Sequence, residues 1–143
     1  MRLWHYKFIK YLPNSQLIAQ WRELNSIYKN QPNHILINYC YEYPKNILLA
    51  YSKLIYNEMI NRNIKIKSLN NLINYFNIID IDNDFINKDF SNIIPFKYHH
   101  TNQYLKYCFY NLQEKYDRGQ KDFDTNKYII LLNAYLHLIK NII

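Results

Sequence analysis

The chain is expected to be all-α: a single compact domain of about five to seven helices, with an irregular connection near residues 78–98. Three observations predict this. Apolar side chains recur at helical spacing in several separate stretches. Those stretches are bounded by Pro13, Pro44, Asn63, Ser68, Gly119 and Asp124, residue types that start or stop helices. The length of 143 residues, 49% hydrophobic and 17% aromatic, supplies one domain with ample material for a core, and neither an internal repeat nor a second domain is visible.

Taken in order, residues 2–12 are short and mixed and read as an extended lead-in. Pro13 suits a helix start, because its missing N–H would be unpaired there anyway. From Pro13 to about Tyr28, the spacing of Leu17, Trp21, Leu24 and Tyr28 predicts a core-facing stripe. Gln16, Gln20 and Glu23 share one flank of that helix, and Ile18 and Arg22 the other, which puts Glu23 at the border of the buried stripe. Asn30-Gln31-Pro32-Asn33 is a turn, and His34 to Tyr43 reads as a short apolar helix, with a strand as the alternative. Pro44 opens a helix to about Arg62, with Ile47, Leu48, Tyr51, Leu54, Ile55 and Met59 opposite Lys45, Asn46, Lys53 and Asn57. Asn63 occupies a left-handed helix end, and Ser68 caps a helix over residues 69–76. Ile78 to Tyr98 has no sustained period. A helix returns from about Asn102 to Tyr116 with Tyr104, Cys108 and Leu112 on one face. Asp124 or Thr125 caps a last helix to about Asn141, apolar almost all round, so that it is either sandwiched in the core or buried against a second chain.

Composition narrows the function. Lys and Arg exceed Asp and Glu by 18 to 11, giving +7, which favours an anionic partner. Part of the lysine content accompanies a general richness in Asn, Ile and Tyr. Gly119 is the sole glycine, which excludes a glycine-rich phosphate loop and a dinucleotide fingerprint. Cys40 and Cys108 lack metal or redox spacing and are expected to be reduced and buried. Residues 1–12 do not form a signal peptide, and the apolar stretch Tyr128 to Ile139 is too short to span a bilayer, so a cytoplasmic protein is expected.

Several candidate sites dissolve on inspection. Asp80-Ile81-Asp82-Asn83-Asp84 resembles the start of a calcium loop, but Phe85 and Ser91 stand where Gly and Glu are required. His99-His100 has no partner cluster and reads as a surface pair, so no metal site is expected. No serine has a nucleophile-elbow context. The tyrosines of Tyr104–Tyr110 could stack on bases, but their helical spacing favours core packing.

The first 24 residues, MRLWHYKFIKYLPNSQLIAQWREL, carry more. The run QLIAQWREL at Gln16–Leu24 resembles the active-site helix of the pyrimidine-dimer DNA glycosylases, the endonuclease V type of base-excision enzyme, with Arg22 and Glu23 on its arginine–glutamate pair. Arg2 matches the basic residue after the family's N-terminal nucleophile. NHILINY at Asn33–Tyr39 is similar to its histidine-containing apolar segment, and Ile47–Ile66 to its second long helix, with Asn63 where a glycine is usual. MRLWH, QWRE, PNHILINY and CFYNLQEKYD resemble a subgroup of small bacterial relatives. Two departures stand out: a histidine of the family's first helix falls at Gln16, and its aromatic-basic C-terminal tail has no clear counterpart.

The resemblance implies one DNA glycosylase and abasic-site (AP) lyase-like domain over 1–143, acting on pyrimidine dimers or related base damage in double-stranded DNA. Its nucleophile is an α-amine, and Arg2 is large enough to block removal of the initiator, leaving Met1 in that place. An α-amine titrates near 8, so a useful fraction is neutral at physiological pH. Met1 and Glu23 are the expected catalytic pair, and Arg2, Arg22, Gln16 and His34 the expected DNA contacts. No cofactor is required. A monomer is expected, with a dimer through the last helix as the alternative. The competing class is a non-catalytic basic helical module that binds nucleic acid or protein.

Overall fold

Helices begin and end where the chain's punctuation places them. The computed structural model describes residues 1–141. Helix α1 (Asn14–Asn30) follows Pro13, whose carbonyl accepts from the Gln16 and Leu17 N–H groups at 3.0 Å each. Helix α2 (Lys45–Asn61) follows Pro44, whose carbonyl accepts from the Ile47 N–H at 3.0 Å. Helix α3 (Asn70–Phe76) starts beside Ser68, whose hydroxyl accepts from the Asn70 N–H at 3.1 Å. Thr101 caps α4 (Asn102–Asp117) through the Tyr104 N–H, and Asp124 caps α5 (Thr125–Lys140) through that of Lys127. The single glycine leaves most left-handed helix ends to amide residues: Gln31, Asn63 and Asn77 take φ of 46°, 58° and 53°. No strand occurs among the described residues, and no helix there is long and apolar enough to cross a membrane.

Helix α1 packs on α2 and α3, and α4 packs on α5. Leu17, Trp21, Leu24 and Tyr28 are buried as their spacing predicts. Residues 2–12 are not simply extended. Tyr6–Tyr11 is a 3-10 helix lodged against α2 and α5, with Phe8 and Ile9 buried. Its first turn is capped by a histidine, since His5 Nδ1 accepts from the Lys7 N–H. Arg62 then clamps its far end: Nη1 donates to Leu12 O at 2.6 Å and Asn14 Oδ1 at 2.9 Å, Nη2 to Lys10 O at 3.0 Å, while Nε pairs with Glu58. The N-terminal segment is thereby fixed between the helices.

Five further expectations are corrected. His34–Tyr43 is neither an α-helix nor a strand. The Asn38 side chain accepts from the His34 N–H and His34 Nδ1 from the Leu36 N–H, so side chains occupy helical donors and only a short 3-10 helix, Asn38–Tyr41, forms. Lys53 is buried, not solvated, because its ammonium donates to Phe85 O and Ile86 O at the end of the π-helical turn Asp82–Ile86. That turn lies inside the otherwise irregular connection, where Phe96 takes a left-handed φ of 52°. Tyr104 is half-buried, but Tyr107 and Tyr110 of the same helix are exposed. Helix α5 is not sandwiched: Leu131 and Tyr135 are buried, whereas Ile129, Ile130 and Leu136 face outward. His100, finally, is not at the surface.

His100 and His5 are both buried and 5.2 Å apart between ring centroids. His100 Nδ1 accepts from the Tyr6 N–H and Nε2 bonds the Tyr39 hydroxyl, so the neutral ring fills both roles and a second proton would break the first bond. Burial lowers the His5 pKa from 6.5 to about 4, and burial with the neighbouring His5 and His99 holds His100 well below its ordinary value. Both rings are thus neutral in the fold and take up protons more readily when unfolded. Their contribution is complete above the unfolded value of about 6.5 and is lost as pH falls below it. Urea denaturation should show stability dropping between pH 6.5 and 4.5 by roughly 1.4 kcal/mol per pH unit for each histidine, and His100→Gln should flatten that slope.

Candidate active site

The fixed N-terminus, the polar flank of α1 and the last turns of α4 enclose a cleft of about 250 Å³. Met1, Arg2 and Trp4 line it from the first segment; Gln16, Ala19, Gln20 and Glu23 from α1; and Asn111, Glu114, Lys115 and Arg118 from α4 and its C-cap. Four cationic groups, counting the Met1 amine, face two carboxylates.

Gln20 is the organising residue. It is only 1% exposed, and its amide is fully used. Its Oε1 accepts from the Trp4 N–H at 2.7 Å and from the Tyr51 hydroxyl at 3.0 Å, while its Nε2 donates to Arg2 O at 3.0 Å and to Glu23 Oε2 at 3.1 Å. Tyr51, fully buried on α2, also approaches Trp4 O at 2.6 Å. One amide therefore ties the terminal residues to the carboxylate of α1. Tyr104 adds a tether, donating to Leu3 O at 2.6 Å.

Glu23 is half-buried, and desolvation raises its pKa above the ordinary carboxylate value. The positive Met1 amine opposes that shift, as do the Arg2 N–H, the Arg2 guanidinium and the Gln20 amide. Met1 and Glu23 thus share the cleft, and the charge of the amine acts on the carboxylate without a direct ion pair. Arg2 stands between two rings: its guanidinium carbon is 5.4 Å from the Trp4 ring centroid and 5.1 Å from that of Tyr107. Its Nη1 is buried with no protein partner. The guanidinium as a whole is half-buried in a cleft with more cations than carboxylates, which suits an anion such as a phosphate.

Met1, Arg2, Gln16 and Glu23 come together in this cleft; Arg22 and His34 are not among its lining residues. Gln16 reaches across to Gln120 Oε1 at 3.0 Å, joining α1 to the loop after α4. Arg22 is exposed on a different flank of α1, and His34 is half-buried in the turn after it. Trp4, Gln20, Asn111, Glu114, Lys115 and Arg118 were not among the expected site residues. For Gln20 a signal existed, since it lies one turn before Glu23 on the flank already assigned to Gln16. The cysteines take no part. Cys40 and Cys108 are buried and unpaired, and burial pushes their thiols up to about 12 and about 11.

A family model, pyrimidine dimer DNA glycosylase, matches residues 1–72, and the chain belongs to that family. Membership brings DNA repair and a DNA substrate with it. No curated protein and no solved structure matches the chain. The matched residues contain the whole N-terminal and α1 side of the cleft, while the α4 side lies beyond them.

Because the Gln20 amide satisfies four groups at once, Gln20→Ala should strand buried partners and lower stability by about 2–4 kcal/mol. Urea denaturation checks this, with Gln16→Ala, at a less buried site, expected to cost less.

Proposed function

We propose that the protein is a DNA glycosylase with abasic-site lyase activity, acting on pyrimidine dimers or related base damage, with the chain serving as one such domain. The observation that carries this reading is the meeting of the Met1 amine and the Glu23 carboxylate in one cationic cleft. In this mechanism the neutral amine of Met1 attacks the sugar C1′, and the glycosidic electrons leave with the damaged base. The attached nitrogen gives up one proton, and its lone pair then opens the sugar ring, whose oxygen takes a proton as it leaves; the product is a protonated Schiff base that keeps one N–H. Removal of a C2′ proton then expels the 3′ phosphate by β-elimination and cuts the strand.

Glu23 serves this sequence in two ways. As a carboxylate it stabilises the positive charge that grows on the sugar. Its raised pKa brings it nearer to working pH, as a group that accepts and returns protons requires. Arg2, half-buried in the wall of the cleft, takes a phosphate next to the lesion with its guanidinium. Gln16 contacts DNA at the cleft edge, and Arg22 and His34 contact the backbone outside it. A base stacked within a duplex cannot reach a cleft of this size, so local distortion or base flipping belongs to the proposal.

The test is to mix protein of verified mass and free Met1 amine with a duplex carrying one abasic site, add borohydride, and map the adduct by mass spectrometry. The adduct is expected on the Met1 amine, absent after N-terminal acetylation. Glu23→Gln should slow strand cleavage by about 10²-fold or more. An adduct on a lysine, or none at all, would overturn the mechanism and favour a non-catalytic DNA-binding module.

A further inference from the structure

Helix α4 contributes Asn111, Glu114 and Lys115 to the cleft, and Arg118 stands at its C-cap, all outside the family-matched residues. Tyr107, Asn111, Lys115 and Arg118 are spaced i, i+4, i+8 and i+11, which places them on one stripe of the helix. The stripe begins at Tyr107, which carries the cleft residue Arg2 against its ring, and ends at two cations that line the cleft. Eleven residues at about 1.5 Å rise give a track of roughly 16 Å, long enough to follow several phosphates of one strand. Tyr107 is 47% exposed, so its ring packs on Arg2 while remaining open to solvent.

We propose that this stripe of α4 is the DNA-backbone track of the site: Tyr107 fixes Arg2 toward one phosphate, and Lys115 and Arg118 hold further phosphates of the same strand. The inference rests on the DNA-repair reading above and assigns it a surface. Glu114 is the opposing charge on this face, and it is already engaged by Arg118 Nη2 at 2.6 Å. Both side chains of that pair are largely exposed, at 78% and 56%, so the guanidinium is readily shared with an incoming phosphate. Asn111 donates to Tyr107 O, which engages its amide along the helix and leaves the charged residues to meet the phosphates. Contacts of this kind set position and affinity and carry no base sequence.

The experiment measures equilibrium binding of a duplex containing a tetrahydrofuran abasic analogue, which cannot form a Schiff base, across a range of salt concentrations. Lys115→Ala/Arg118→Ala is expected to weaken binding and to reduce the slope of log K against log salt by about 2, one for each lost phosphate contact. A control pair outside the cleft, Lys29→Ala/Lys97→Ala, should leave the slope unchanged. Tyr107→Ala should weaken binding, and Tyr107→Phe, which keeps the ring under Arg2, should restore it. An unchanged slope in the α4 pair, or an equal fall in the control pair, would overturn the track. Since the probe cannot react, this result is independent of whether borohydride traps Met1. Failure of trapping with an intact α4 effect would remove the chemistry and leave the binding surface.

Discussion

The site depends on the side-chain amide of Gln20. A buried amide has two hydrogens and two lone pairs: here the hydrogens go to Arg2 O and Glu23 Oε2, while Oε1 accepts from the Trp4 N–H and shares the single Tyr51 hydroxyl proton with Trp4 O. The flexible end of a chain is normally its least ordered part. Here the terminus is gripped at Arg2 and Trp4 by α1, at Leu3 by Tyr104, and at Leu12 by Arg62. Buried Leu3, Trp4 and Phe8 add the apolar weight that makes those hydrogen bonds persistent. A terminal amine becomes a positioned group only when the backbone behind it is held in this way.

The electrostatics follow from that grip. Burial alone would disfavour the Glu23 charge, while the amine, Arg2 and Gln20 favour it, so its proton affinity reflects a balance between desolvation and nearby positive charge. The cleft stays net cationic, consistent with a partner that brings its own negative charge. Arg2, stacked between Trp4 and Tyr107 with a donor unspent, shows the same logic on the opposite side.

How much of this could be read from the sequence depended on whether local residues or distant ones decide. Helix limits were legible because Pro13, Pro44, Asn63 and Asp124 act on their own neighbours. The 3-10 helix at Tyr6–Tyr11 was not, since a histidine cap and a clamp from Arg62, some fifty positions away, are what hold it. Lys53 and His100 were misplaced for the same reason: their partners are carbonyls and hydroxyls supplied by other segments. In the site, Met1, Arg2, Gln16 and Glu23 were accessible because they lie within one terminal segment and one helix. Tertiary packing alone shows that α4 completes the wall. The family match has the same limit, ending at residue 72.

The proposed chemistry requires the terminal amine and Glu23 to form one electrostatically coupled unit held by Gln20. It is tested most directly by following the Glu23 side-chain carboxyl carbon by NMR through a pH titration, in protein with a free Met1 amine and in protein acetylated at that amine. A Glu23 pKa above the usual carboxylate value is expected in the free protein, with a further rise once the positive charge is removed. A Glu23 that titrates at its ordinary value, or that does not respond to acetylation, would contradict it.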